Sequence, residues 1–209
     1  MDYFKESFYV NKPDPVLQDH GMQNEESLLW SSFKSGSRAS LDIIFEKYVG
    51  LLYSYGKRLT KDEELVADCI QDVFFELWVK RESLTHRIHS VKYYLFRCVR
   101  TRILRRLSVD MRLQGTPITD DYCEEMEFNI EHSLIMKETL HDLSDQLKNS
   151  VKTLSKAQQE AIYLKFYENM TYEEIANVMN TDVKAVYNLV GRSIISLRKL
   201  FRSQPMVTE

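Results

Sequence analysis

The chain is poor in the residues that make tight turns and cross-links. Its 209 residues include only 6 glycines, 4 prolines and 3 cysteines. So little Gly and Pro disfavours a turn-rich β architecture, and the length suits one large domain or two small ones. The three cysteines, Cys69, Cys98 and Cys123, are odd in number and widely separated, which fits structural thiols better than disulfides or a metal cluster. We therefore expect a mostly helical protein with reduced cysteines.

Long apolar runs and catalytic motifs are also missing. No apolar stretch of about 18 residues occurs, and no leader with a basic start and an apolar middle is present. We therefore expect no membrane insertion and a cytoplasmic location. The sequence has no phosphate-cradling glycine loop, no clustered metal ligands and no nucleophile–base pair at a recognisable spacing. These absences predict a protein that is not an enzyme and that has no cofactor and no metal.

Charge is segregated along the chain, although the net charge is only -3. The segment 80–112 contains ten basic residues and two acidic ones, and acidic residues cluster at 62–76 and 120–131 on either side of it. Charges more than roughly 8–10 Å apart in water are largely screened from one another at cellular salt. The pattern therefore predicts one surface suited to nucleic acid and another suited to a basic protein.

Helical periodicity divides the chain into two predicted domains. Residues 1–25 read as a flexible tail, 26–108 as a first helical domain, 109–133 as an acidic linker, 134–204 as a second helical domain, and 205–209 as a tail. We therefore predict an all-α fold of two small helical domains joined by a linker.

The first domain has an apolar stripe that should form its core. Leu28, Leu29 and Phe33 begin the stripe before a turn at 35–37, and Thr60 with Glu63 predicts a capping box for a later helix. Residues 79–90 read as a loop, after which a new helix begins. In the helix before that loop the predicted buried residues are Val66, Ile70, Val73, Phe74, Leu77 and Trp78.

The segment 171–200 reads as a short helix, a tight turn and a longer helix bearing only basic charges. Thr171 with Glu174 makes a capping box, Asn180 can take the left-handed turn conformation, and Asp182 can cap the second helix. This is the layout of a helix-turn-helix DNA reader. The predicted inward stripe of its second helix is Val183, Val186, Val190, Ile194 and Leu197.

Three segments carry a resemblance to a known family. They are DCIQDVFFELW at 68–78, YYLFRCVR at 93–100 and LSKAQQEAIYLKFYENMTYEEIA at 154–176. In this order and separation they resemble the extracytoplasmic-function (ECF) type of bacterial sigma-70 factors, over about 26–202. The resemblance implies a subunit that binds core RNA polymerase, directs it to specific promoters and helps to melt the -10 region.

In such factors the first domain binds the clamp helices of the largest polymerase subunit. Asp68, Gln71 and Asp72 sit at i, i+3 and i+4, so one helix face presents two carboxylates and an amide to a partner's arginines. An isolated acidic triplet is more often an ordinary solvated face, but the resemblance reverses that preference. The core-binding residues that it implies are Asp68, Gln71, Asp72, Phe75 and Glu76.

The resemblance assigns the basic segment to the -10 element. Basic side chains attract phosphates, and aromatic rings can stack on unpaired bases. Tyr93 and Tyr94 are the stacking candidates, although Tyr94 fits the core equally well. Thr101 stands where the family commonly has Asn and cannot make the two-pronged amide contact to a base. The implied -10 residues are Lys80, Arg81, Arg87, Lys92, Tyr93, Tyr94, Arg97, Arg100, Thr101 and Arg105, with the loop 80–90 as a pocket for a flipped base.

The second domain is implied to read the -35 element and to contact the flap of the second-largest polymerase subunit. Asn188 could pair with adenine, and Lys184 with guanine or phosphate, whereas phosphate contact is favoured for Arg192. An anti-sigma factor is a further partner that the resemblance allows. The implied -35 residues are Thr171, Tyr172, Lys184, Ala185, Tyr187, Asn188 and Arg192.

Two other functions compete with this one. A helix-turn-helix regulator that does not replace the sigma subunit would explain the C-terminal motif. A duplex-only reader, however, needs no strand-capturing loop beside a separate acidic helix. An enzyme acting on nucleic acid is disfavoured by the missing catalytic motifs.

Overall fold

The computed structural model describes residues 22–85, 88, 90–113 and 149–203. All regular elements within these ranges are helical, so the predicted all-α class is confirmed. The described residues form two compact units, the first containing 22–57 and 62–110 and the second containing 58–61, 111–113 and 149–203. Residues 1–21 and 205–209 of the predicted tails, residues 114–133 of the acidic linker, Cys123 and Arg87 lie outside the described residues, whereas residues 22–25 of the predicted tail are helical. The predicted domain boundaries stay predictions.

Four helices carry the first unit. They are α1 (Met22–Lys34), α2 (Arg38–Leu59), α3 (Glu63–Lys80) and α4 (Val91–Leu113), and a 3-10 turn, Arg81–Ser83, follows α3. The predicted loop 79–90 is thus shorter than expected, because helical structure continues to residue 83. Gly36 makes the predicted turn between α1 and α2 with a φ of 96°, a conformation that a side chain resists.

The core of the first unit follows most of the predicted stripe. Val66, Ile70, Val73, Phe74 and Leu77 are buried as predicted, whereas Trp78 is only half-buried. In α1 the prediction of Leu28 as a core residue is wrong, because its side chain is 66% exposed. The buried face of α1 contains Phe33, as predicted, together with Trp30 and Lys34, and the three share one side of a helix at the i, i+3 and i+4 spacing.

The start of α3 differs from its predicted cap. The predicted Thr60–Glu63 capping box is wrong, because Asp62 is the N-cap and its Oδ1 accepts a hydrogen bond from the Leu65 amide at 2.9 Å. A carboxylate one residue before the first turn satisfies a free amide and also meets the positive end of the helix dipole. Glu63 is left as the first helical residue, where it accepts from the Tyr53 hydroxyl at 2.6 Å.

In the described part of the second unit, short helical elements precede one long helix. After residues 149–152, which are helical, come α5 (Lys156–Ile162), a π turn (Tyr163–Tyr167), α6 (Tyr172–Met179) and α7 (Val183–Ser203). The capping boxes at Ser155 and Thr171 are both formed, as predicted. Each helix start is therefore fixed by residues next to it in the sequence.

The turn between α6 and α7 is also as predicted. Asn180 is left-handed with a φ of 54°, and the Asp182 carboxylate accepts from the Ala185 amide at 2.7 Å. On α7, Val186 and Val190 are fully buried, whereas Ile194 and Leu197 are half-buried. The predicted helix-turn-helix is thus present, with its inward stripe best packed near the turn.

Candidate polymerase and nucleic-acid interfaces

The acidic face of α3 comprises Asp68, Gln71, Asp72, Phe75 and Glu76. These residues lie within one side of the helix because they repeat at three- and four-residue steps. Asp68 and Gln71 are exposed, Asp72 and Glu76 are half-buried, and the Phe75 ring is 70% exposed. Val79, one turn after Phe75, is 58% exposed. The face therefore combines acidic, amide and apolar groups that are accessible to a partner.

Two carboxylates of this face are already bound within the chain. Asp72 Oδ2 accepts from Arg102 Nη1 at 3.1 Å and from Arg106 Nη2 at 3.0 Å. Glu76 accepts from Arg102 and, at 2.5 Å, from Lys80. The hydrogen bond from Lys80 is the main cause that holds the pKa of Glu76 below its ordinary value, and the contact from Arg102 lowers this pKa further. The structure therefore ties one side of the acidic face to α4, which the sequence reasoning did not foresee.

The arginines of α4 differ in their partners and in their exposure. Arg102 and Arg106 pair with α3, whereas Arg97 and Arg105 are exposed and Arg100 is half-buried. At 100° per residue, Arg102 and Arg106 point about 140° and 180° away from Arg97, whereas Arg105 lies between them, about 80° from Arg97 and about 60° from Arg102. Helical periodicity could have separated Arg97 from Arg102 and Arg106, although it could not have named their partners.

The aromatic pair at the start of α4 is partly enclosed. Tyr93 and Tyr94 are both half-buried, and Tyr94 packs edge-on against Trp30 with 5.7 Å between ring centroids. Burial is the main cause that raises the pKa of Tyr94, and a contact with Cys98 raises it further. Of the two open interpretations of Tyr94, the structure therefore supports a packing role.

Three other predicted -10 residues have partners of their own. The Thr101 hydroxyl donates to the Arg97 carbonyl at 2.8 Å. The Lys92 ammonium lies 5.8 Å from the centre of the Phe96 ring. The Arg81 guanidinium lies 4.7 Å from the centre of the Trp78 ring. These contacts direct Thr101 toward its own helix and hold Arg81 near the end of α3.

The helix-turn-helix brings two predicted -35 residues into direct contact. The rings of Tyr172 and Tyr187 are stacked, with centroids 3.8 Å apart and planes at 19°. The Lys165 ammonium lies 4.6 Å from the centre of the Tyr172 ring. Both tyrosines are predicted site residues, but no sequence pattern indicates that their rings stack.

The other predicted -35 residues lie on or beside the same helices. Lys184, Asn188 and Arg192 are exposed on α7, and Ala185 is half-buried. The Thr171 hydroxyl oxygen is occupied in the capping box, where it accepts from the Glu174 amide at 3.3 Å. The exposed basic and amide groups of α7 are therefore available for contacts along a groove.

Neither a metal site nor a membrane span is found in the described part of the chain. Residues 22–85, 88, 90–113 and 149–203 contain no group of three or more His, Cys, Asp or Glu side chains able to hold a metal ion. No helix within these ranges is long and apolar enough to cross a bilayer.

Family comparison matches both units separately. The model of sigma-70 region 2 matches residues 44–112, and the model of sigma-70 region 4 matches residues 144–197. Together they cover more than half of the 209 residues. The chain belongs to the sigma-70 family.

A curated relative specifies the type of sigma factor. The "ECF RNA polymerase sigma factor SigM" of Bacillus subtilis (strain 168) is 23% identical over 166 residues, which covers 78% of this chain and 95% of the relative. Together with the two region matches, this similarity identifies an extracytoplasmic-function sigma factor.

Two solved structures share the fold. CnrH, solved in complex with the cytosolic domain of CnrY, has a TM-score of 0.57 at 19% identity and covers 86% of this chain and 99% of its own. RpoE from Bartonella quintana, solved with the anti-sigma factor NepR, has a TM-score of 0.52 at 20% identity, covering 77% and 96%. At these identities the likeness concerns the fold alone.

The family assignment fixes the general activity. As an ECF sigma factor, the protein binds core RNA polymerase, directs it to specific promoters and helps to melt the -10 region. Sigma factors are not enzymes in general. The alternative of a regulator that leaves the sigma subunit in place is not favoured, since region 2 is matched as well as region 4.

Proposed function

We propose that this sigma factor docks on the clamp helices of the largest polymerase subunit through Asp68, Gln71 and Phe75. All three are exposed on α3, and Phe75 with Val79 forms an apolar strip beside the charged groups. A large exposed aromatic side chain next to polar groups is typical of the few residues that supply most of the binding energy at an interface.

Asp72 and Glu76 serve this docking indirectly. Their ion pairs with Arg102 and Arg106 join α3 to α4. They fix the orientation of the docking helix against the helix proposed to hold the -10 strand. Because these groups are only partly buried, each pair contributes modestly, about 0.2–1 kcal/mol.

The -10 strand is proposed to bind the side of α4 that carries Tyr93 and Arg97. Arg97 is exposed there and Arg105 is exposed at its edge, and both would contact phosphates, while Tyr93 would stack on an unpaired base. The other basic residues proposed to contact the strand are Arg100, Lys92, Lys80, Arg81 and Arg87. Tyr94 would support this surface from within through its contact with Trp30.

The -35 element is proposed to bind α7. Lys184 and Asn188 lie in the first two turns after the helix start, where a recognition helix contacts base edges. Arg192 lies one turn further and would contact phosphate. Tyr187, held against Tyr172, would present a fixed ring to the groove. The same unit is proposed to contact the flap of the second-largest subunit.

Two further proposals concern the setting of this sigma factor. It would act in the cytoplasm, where its polymerase partner is. It would also be held inactive by an anti-sigma factor, a proposal supported by the relatives CnrH and RpoE, whose structures were solved with CnrY and with the anti-sigma factor NepR.

The exposure of the Phe75 ring is the observation that carries the docking proposal. Phe75→Ser and Asp68→Lys should each weaken binding to core polymerase by at least about ten-fold, because the first removes an apolar anchor and the second reverses a charge. Affinity should be measured by titrating labelled full-length protein with purified core enzyme.

Glu46→Lys provides the matched control, since Glu46 is an exposed acid on α2 outside the acidic face. It should leave core affinity unchanged. Asp72→Lys is less suitable, because a lysine there would repel Arg102 and Arg106 and disturb the first unit. Unchanged core affinity in both Phe75→Ser and Asp68→Lys would contradict the docking assignment.

A further inference from the structure

Helix α1 lies outside the segment matched by the region 2 model, which begins at residue 44. It nevertheless contributes two buried donors to the backbone that follows α3. Trp30 Nε1 donates to the Thr85 carbonyl at 3.2 Å, and Lys34 Nζ donates to the Leu84 carbonyl. Two consecutive carbonyls are thus held by two side chains one turn apart on α1.

Both donors are almost completely enclosed. Trp30 is 1% exposed and Lys34 is 8% exposed. A buried ammonium group is costly unless a hydrogen-bond partner compensates for its lost water, so the Leu84 carbonyl is needed to keep Lys34 in this position. Exposed lysines, by contrast, reach solvent without such a partner. The burial of Lys34 therefore indicates a fixed attachment of the Leu84 backbone to α1.

The Trp30 ring also contacts the beginning of α4. Its centroid lies 5.7 Å from that of Tyr94, with planes at 66°, and 5.1 Å from that of Phe33. Tyr94 is in the first turn of α4, next to Tyr93. One indole therefore contacts both the backbone at Thr85 and the Tyr94 ring at the start of α4.

The turn that precedes Leu84 is held by local contacts of its own. Arg81 Nη1 donates to the Trp78 carbonyl at 2.9 Å, and the guanidinium lies over the Trp78 ring. These contacts fix the end of α3. These local contacts do not set the position of the Leu84–Thr85 backbone relative to Tyr94, whereas the contacts from α1 do.

We propose that Trp30 and Lys34 are positioning residues for recognition of the -10 strand. They hold the Leu84–Thr85 backbone at a set distance from Tyr93 and Tyr94, so that an unpaired base meets one fixed arrangement of stacking ring and backbone. A site held within a few tenths of an ångström discriminates between bases better than a mobile one. The inference rests on the proposed role of α4 in -10 binding.

The test uses full-length protein with core polymerase and a forked DNA whose single-stranded -10 segment is randomised. Trp30→Phe keeps an aromatic ring beside Phe33 and Tyr94 but removes the N–H donor. Lys34→Met keeps the apolar stem but removes the ammonium group. Sequencing the bound DNA gives, at each position, the preference for the best base over the other three.

Each variant should lower the preference at one or two positions by about five-fold, as expected for a lost or loosened hydrogen bond. Core affinity should stay within about two-fold of the original protein, because the docking residues on α3 are untouched. Leu28→Ala, at an exposed position of the same helix, is the control and should leave the preference unchanged.

Three outcomes distinguish the possibilities. An unchanged base preference in both Trp30→Phe and Lys34→Met overturns the inference. A parallel loss of core affinity, thermal stability and strand binding also overturns it, because it shows a role in folding alone. If the original protein selects no -10 sequence at all, the proposed -10 role of α4 fails first, and the inference fails with it.

Discussion

At the scale of single residues, the thiol of Cys69 illustrates how burial controls reactivity. Cys69 is fully buried on α3, and burial raises its pKa to about 11. Thiolate is the species that alkylates, so at pH 8 we expect iodoacetamide to modify native Cys69 at least about 100-fold more slowly than the urea-unfolded chain. Peptide mass spectrometry over a time course would measure both rates.

The same shift predicts a dependence of stability on alkaline pH. The pKa of Cys69 is higher in the folded protein than the ordinary value of 9.0 that a thiol has in the unfolded chain. Its contribution to stability is therefore complete below pH 9 and is lost as the pH rises toward 11.

Rapid labelling of native Cys69 at pH 8 would contradict its burial. Cys98, half-buried with a pKa that burial also raises, should label more slowly than an unfolded thiol as well.

The carboxylates of α3 show which residue-level properties a sequence can indicate. The spacing of Asp68, Gln71 and Asp72 was sufficient to place them on one helix side. It could not show that Asp72 is paired with Arg102 and Arg106, because these partners are 30 and 34 residues away. Nor could it show that Asp68 and Phe75 remain exposed. Pairing between distant charges depends on how two helices pack.

At the scale of helices, Gly56 marks a close approach of three of them. A Cβ at residue 56 of α2 would lie 2.5 Å from Val66 Cγ1 and 3.2 Å from Ile103 Cδ1. Alanine normally favours a helix, but here the clash with a stiff β-branched side chain should dominate. We expect Gly56→Ala to lower the free energy of unfolding by about 1–3 kcal/mol, measured by urea denaturation.

Gly50 on the same helix is the matched control. Apart from the adjoining backbone of α2 and the two neighbouring residues, no atom would lie within 4 Å of a Cβ there. Gly50→Ala should therefore raise stability, by up to about 1 kcal/mol, through helix propensity alone. If both substitutions change stability in the same direction, the packing of α2 against Val66 and Ile103 is not as described.

Helix ends were the most predictable part of the fold. Thr171, Glu174, Asn180 and Asp182 act within a few residues of their own positions, so their roles could be inferred from local chemistry alone. The one wrong cap, at Thr60, was wrong because Asp62 competes for the same amides from a nearer position. Which face of α1 is buried was less predictable, since Leu28 and Trp30 are both large and apolar.

At the scale of the whole molecule, the proposed contacts with the polymerase clamp helices and the proposed -35 contacts lie on different units of one polypeptide. The acidic face belongs to the first unit and α7 to the second. A linked pair of binding modules gains from effective concentration, because the second contact forms within one molecule. Promoter-specific initiation should therefore require both sets of contacts on the same chain.

This requirement can be tested by mixing two defective variants. Phe75→Ser removes the proposed polymerase contact, and Lys184→Ala with Asn188→Ala removes the proposed -35 contacts. In transcription with core polymerase, each should give less than about one-tenth of the original yield, and the mixture should give no more than the sum. Mixing either variant with the original protein is the control. Recovery of the full yield by the two variants together would show that the contacts act independently.

The sequence alone determined the helical class, the two functional segments, most helix starts and the sigma-factor identity. All of these depend on residues close together in the chain or on the order of motifs along it. Only the tertiary structure decided that Asp72 and Glu76 are tied to α4, that Tyr172 stacks on Tyr187, and that Trp30 and Lys34 hold the backbone at Leu84 and Thr85. Each of these contacts joins different elements. Their formation depends on the angle and depth at which the elements pack, which periodicity and local propensity do not specify.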